Sequence, residues 1–81
     1  MDEGMKKAYD ARHKQAFRIA FDALNEVFPP VNTVEYWEQT NEHLKEIYNQ
    51  HRDNPLCRAL LVAVENYLGE AVKEIGEQGE G

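Results

Sequence analysis

The chain has one cysteine and no serine, and both scarcities exclude common chemistry. A single thiol, Cys57, cannot form an internal disulfide, so stability must come from packing, and we expect a cytoplasmic protein. Without serine there is no serine nucleophile elbow, and no glycine-rich phosphate loop is present. The sequence therefore predicts a protein that is not an enzyme and that uses no cofactor.

Basic residues and long apolar runs are also scarce. Nine Lys and Arg stand against 15 Asp and Glu, giving a net charge of −6, so the chain lacks the basic footprint of a nucleic-acid-binding domain. No apolar run approaches the roughly 18 residues that cross a bilayer. The acidic start of the chain is unlike a signal peptide. We expect neither a membrane partner nor a small-molecule substrate.

Prolines divide the 81 residues into three segments. Pro29 and Pro30 must end a helix, because each fixes φ and removes a backbone donor. Pro55 suits the first position of a helix that Asn54 or Asp53 caps. The middle segment has Asn32 or Thr33 as its candidate cap.

Each of the three segments carries apolar residues at the 3.6-residue period of an α-helix. The predicted fold is therefore all-α, a small up-down-up three-helix bundle with helices at about 5–28, 33–51 and 55–75. We expect residues 1–4 to fray and residues 76–81 to form a flexible acidic and glycine-containing tail.

The third helix has two apolar rows, and a helix with so wide an apolar arc needs cover from two sides. The wheel of the first helix places Phe17 in the core. If the two neighbours leave part of the third helix uncovered, an apolar partner-binding surface results. Its predicted members are Leu61, Leu68 and Val72, with Ile19 and Phe21 from the first helix. The alternative is a core that uses all of these side chains.

Charged side chains form two further candidate surfaces. The second helix has an acidic row that could steer a basic partner or mimic nucleic acid, or could be an ordinary solvated face. The members of this row are Glu35, Glu38, Glu42 and Glu46. The first helix has a basic stripe that could make weak phosphate contacts, or could be ordinary surface. The members of this stripe are Lys7, Lys14 and Arg18.

The topology gathers His13, His51 and Cys57 at one end of the bundle. Two imidazoles and a thiol could contribute to a tetrahedral zinc site. Metal-ligand spacings such as Cys-x-x-Cys are absent, however, so the preferred interpretation is a wet bundle end where rings hydrogen-bond at their tips.

The hypothesis that these features favour is a small acidic helical accessory protein without catalytic activity. It would act by binding a protein partner or by self-association. The alternative is a role related to nucleic acid, either as an acidic mimic that inhibits a nucleic-acid-handling protein or through phosphate contacts of the basic stripe.

Overall fold

The computed structural model describes residues 3–80 and confirms the predicted three-helix bundle. The helices are α1 (Glu3–Val27), α2 (Val34–Gln50) and α3 (Pro55–Glu80). Helix α3 packs against both α1 and α2, whereas α1 and α2 approach each other far less closely. The third helix is therefore the central element, as its wide apolar arc requires.

The helix ends follow local chemistry at both internal breaks. Thr33 is the N-cap of α2, and its hydroxyl accepts a hydrogen bond from the Tyr36 amide at 3.1 Å. Asn54 takes the same part for α3, where its carboxamide oxygen accepts from the Cys57 amide at 3.2 Å. Each cap satisfies a backbone donor that has no partner within the helix. Of the paired candidates, Thr33 and Asn54 are the caps.

The outer helix ends differ from the prediction. Helix α1 already begins at Glu3, and α3 continues through residues 76–80, which were expected to form a tail. Glycine weakens a helix by only about 1 kcal/mol relative to alanine, and no proline follows Pro55. The glycines among the described residues also have no positive φ that would end a helix. The frayed-end predictions for residues 1, 2 and 81 lie outside the described residues.

The core is built around small side chains of α1. Ala16, Ala20 and Ala23 are buried, and they pack with α2 and α3 side chains in one cluster. The other buried members of this cluster are Leu44, Cys57, Leu61, Val64 and Leu68. Alanine at three positions of one helical face lets the backbones approach closely, so the large side chains come from the partner helices.

Two hydrogen bonds and one stacked ring pair fix the register of α1 and α3. Near the start of α3, the Arg12 guanidinium donates to the Asp53 carbonyl at 2.8 Å, and the side-chain Nδ2 of Asn54 donates to the Arg12 carbonyl at 3.3 Å. Near the end of α1, the rings of Phe28 and Tyr67 stack with centroids 6.4 Å apart. The two helices therefore run parallel, and α3 extends well beyond the end of α1.

The staggered helices make the molecule long. Its principal extents are 53 × 25 × 15 Å, and its radius of gyration is 15.3 Å. A compact domain of this length would have a radius of gyration of about 12 Å. An elongated domain has more surface for its volume than a compact one. A larger share of its apolar side chains therefore stays exposed to water.

The Asn54 cap predicts a measurable contribution to stability. Asn54→Ala removes the acceptor for the Cys57 amide and the donor to the Arg12 carbonyl, so we expect a loss of about 1–2 kcal/mol in urea unfolding. Asp53→Ala is the matched control, because Arg12 contacts the backbone carbonyl of Asp53, which remains. Equal stability of the two variants would contradict the capping role.

Candidate protein-binding surface

Two of the residues predicted to form the apolar partner-binding surface lie in the core. Leu61 is 2% exposed and Leu68 is 0% exposed, so the expectation that they are left uncovered is wrong. Val72 is half-buried, and Ile19 packs against the core cluster. Phe21 alone among the five predicted residues is strongly exposed. The alanine face of α1 and the side chains of α2 cover the α3 row that contains Leu61 and Leu68.

The position of Phe17 on α1 differs from the prediction. Phe17 was expected in the core, yet 58% of it is exposed. Its neighbour Ala16 takes the core position, about 100° away around the helix. The close approach of α1 and α3 over alanines leaves no room for a phenyl ring between them. Phe17 therefore lies on the flank of α1.

Four exposed aromatic side chains follow one side of α1 and the adjacent part of α3. We call them the aromatic stripe and define it as Phe17, Phe21, Phe28 and Tyr67. Their exposed fractions are 58%, 63%, 42% and 49%. Phe17 and Phe21 are one helical turn apart and therefore neighbours on α1. The Phe28 amide donates to the Leu24 carbonyl at 2.9 Å, so the helical path continues to Phe28, which stacks on Tyr67.

The spacing of the stripe on α1 is that of a helix-packing seam. Phe17, Phe21, Leu24 and Phe28 are separated by four, three and four residues, the pattern that two packed helices use at their interface. Leu24 is partly buried and packs against the core cluster. This face therefore combines the residue spacing of a helix-packing seam with exposed phenyl rings.

The aromatic stripe faces away from α2. On α1, Glu26 contacts His43 of α2, and the Val27 carbonyl accepts from the Tyr36 hydroxyl at 2.8 Å. Glu26 is nine residues from Phe17, which is two and a half helical turns, so the two side chains lie on opposite sides of α1. The second helix therefore leaves the whole stripe open.

The charged candidates lie on the surface. All four glutamates of the acidic row on α2 are exposed, namely Glu35, Glu38, Glu42 and Glu46. The basic stripe is exposed on α1, at Lys7, Lys14 and Arg18. Within it, Lys14 forms an exposed ion pair with Asp10 at 3.2 Å, one helical turn away. An ion pair as exposed as this one adds little stability and leaves both groups available to a partner.

At the end of the bundle where α3 begins, an arginine makes the contacts between elements, and no set of metal ligands within the described part of the chain does so. Among the described residues, no three His, Cys, Asp or Glu side chains are grouped closely enough to hold a metal ion, so His13, His51 and Cys57 do not form the candidate zinc site. Arg12 lies 5.5 Å from the centroid of the Tyr9 ring and holds the loop before α3. Arg12 is not among the residues predicted for this end of the bundle, although it directly precedes His13 in the sequence.

Cys57 is an enclosed thiol. It is fully buried, and burial together with the nearby negative charge of Asp53 raises its pKa. A raised pKa disfavours the thiolate, the form that reacts with alkylating reagents and binds metals. Cys57 therefore packs as a core side chain in its thiol form.

The labelling rate of Cys57 tests this placement. At neutral pH we expect iodoacetamide to modify the native protein at least about 100-fold more slowly than the urea-unfolded protein, because only opened molecules react. The free energy of unfolding should also fall as the pH rises past the ordinary thiol pKa, since the unfolded chain then ionises first. Equal labelling rates in the native and unfolded proteins would contradict the burial.

No helix among residues 3–80 combines the length and the apolar character that a bilayer span requires. Comparison with protein-family models, with curated proteins and with solved structures found no match. The fold and the surface together define a small three-helix protein with one open aromatic face. Its function must therefore be argued from that face.

Proposed function

We propose that the protein is a non-catalytic interaction module that binds a helical segment of a protein through the aromatic stripe. The observation that carries this proposal is the exposure of four aromatic side chains in one row, on the face that α2 leaves open. Aromatic residues are enriched at the centres of protein interfaces, where they supply much of the binding energy. A monomer that exposed them to water alone would gain nothing and would risk aggregation.

The area of the stripe supports the same conclusion. Phe and Tyr each present about 200 Å² of surface, so four half-exposed rings present roughly 400 Å². Contiguous apolar patches of a few hundred Å² are the size at which exposed surface marks a binding site. The exposed acidic row on α2 adds a long-range contribution, because clustered charge of one sign speeds the encounter with a basic partner.

Co-purification with matched variants tests the proposal. The tagged protein is used to capture partners from an extract of the source cells, alongside two double variants. Phe17→Ser with Phe21→Ser removes the centre of the stripe, and Glu38→Lys with Glu42→Lys changes the acidic row of α2. We expect the first variant to lose the partner and the second to retain it with a slower association rate.

The opposite pattern would overturn the proposal. A partner retained by the Phe17→Ser, Phe21→Ser variant and lost by the Glu38→Lys, Glu42→Lys variant would assign binding to the acidic row. If that partner were a nucleic-acid-handling protein, the role of nucleic-acid mimic would replace the one proposed. Circular dichroism of each variant must show the helical signature of the unmodified protein, so that lost binding is not lost folding.

A further inference from the structure

The two ends of the face that carries the aromatic stripe have opposite charge. On α1, Lys14 and Arg18 lie within one helical turn of Phe17 and Phe21, and they share their face. On α3, Glu70 and Glu74 follow Tyr67 by three and seven residues and therefore share its face.

All four of these charged side chains, Lys14, Arg18, Glu70 and Glu74, are exposed. Along the long axis of the molecule, the basic pair therefore lies beside the Phe17 end of the aromatic stripe, where Lys14 also pairs with Asp10, and the acidic pair lies beyond Tyr67. The parallel register of α1 and α3 sets this order, because Tyr67 lies beside Phe28 and the glutamates lie beyond it.

We propose that the occupant of the aromatic stripe is a second copy of this chain, packed antiparallel across a two-fold axis. This inference rests on the proposed function and names its partner. In a two-fold interface the same patch meets itself, so the patch must be complementary to its own reversed image. A face that is basic at one end and acidic at the other meets that condition only in the antiparallel orientation.

The spacing of the charges agrees with such an axis. At 1.5 Å per residue, the centre of the Lys14 and Arg18 pair lies about 25 Å along the bundle from the centre of the Glu70 and Glu74 pair. The midpoint falls near Leu24, inside the aromatic stripe. Reversal about that point brings the basic pair of each copy to the acidic pair of the other, while the phenyl rings of the two copies pack together.

The area also suits a dimer. Two aromatic stripes contribute roughly 800 Å², and the aliphatic stems of the flanking Lys, Arg and Glu side chains cover part of the surrounding surface. Stable interfaces begin at about 1,200 Å² in total, of which the rings alone supply more than half. Lys14 already has Asp10 as a neighbour, so the gain from its new partners is modest, and the aromatic contacts carry most of the affinity.

Light scattering with charge-reversed variants tests the inference. The unmodified protein at about 100 μM should have twice the chain mass of 9.4 kDa. Phe17→Ser with Phe21→Ser should weaken the dimer on the order of 100-fold, as loss of two central aromatic contacts does. Lys14→Glu with Arg18→Glu, or Glu70→Lys with Glu74→Lys, should each weaken it about tenfold.

Mixing the two charge-reversed variants gives the most specific result. One variant is then acidic at both ends of its face and the other is basic at both ends, so the heterodimer regains both sets of ion pairs. We expect the mixture to dimerise at least as well as the unmodified protein. Gln39→Lys with Gln50→Lys is the control, because it adds positive charge at exposed positions of α2 outside the acidic row and should leave the dimer intact.

Two outcomes would overturn the inference. A mass of 9.4 kDa at every concentration up to about 1 mM would exclude the second copy as occupant. Dimerisation without restoration in the mixture would exclude the antiparallel pairing of the charged ends. Neither result bears on capture of a different protein by the stripe, which the co-purification experiment tests separately.

Discussion

Replacing Leu68 by alanine is expected to lower the free energy of unfolding by about 2–5 kcal/mol. Leu68 is fully buried, and it is one of the two largest side chains among the described residues to be so enclosed. Its truncation leaves a cavity between helices that the alanine face of α1 cannot fill. Since small domains have little stability in reserve, the variant should be largely unfolded in moderate urea.

Val62→Ala is the matched control for Leu68→Ala, because Val62 lies on the same helix and is 48% exposed. We expect its free energy of unfolding to stay within about 0.5 kcal/mol of that of the unmodified protein. Urea unfolding followed by circular dichroism measures both variants. A loss below about 1 kcal/mol for Leu68→Ala would show that α3 is not enclosed at this position.

Ala20→Leu is expected to lower the free energy of unfolding by about 1–3 kcal/mol, although leucine is also a good helix former. Ala20 is buried within the core cluster that α1 forms with its neighbours. Three added carbon atoms would force the helices apart or force side chains out of their preferred rotamers. A natural core so close to its packing limit tolerates enlargement poorly.

Ala11→Leu is the control for Ala20→Leu, since Ala11 lies on the same helix and is exposed. It changes helix propensity equally and should leave the thermal midpoint almost unchanged. If Ala20→Leu stabilised the protein, the space between α1 and α3 would be larger than the alanine packing implies.

The helices were predictable because their ends are local. Pro29, Pro30 and Pro55 restrict the backbone wherever they occur, and Thr33 and Asn54 cap within three residues of their own positions. The end of α3 differs from the prediction, since the helix continues to Glu80 and the predicted end was near residue 75. Glycine lowers helix propensity without ending a helix, so composition alone could not decide the point.

The position of the aromatic stripe was not predictable from periodicity. A helical wheel places Ala16 and Phe17 on the same apolar side of α1, so periodicity alone does not decide which of them enters the core. Ala16 occupies the core position, because the backbones of α1 and α3 can approach closely only where the side chains between them are small. On α3, the choice between two apolar rows depended on register with α1, which only tertiary contacts set.

The buried face of α1 consists of alanines, so its phenyl rings remain exposed, and leucines of α3 fill the core. The most direct measurement compares the urea unfolding of Phe17→Ser and Leu61→Ser at a protein concentration low enough to exclude association. Phe17→Ser should remain helical, with a free energy of unfolding within about 1 kcal/mol of the unmodified protein, whereas Leu61→Ser should lose about 3 kcal/mol or more. A folded Leu61→Ser beside an unfolded Phe17→Ser would contradict the account.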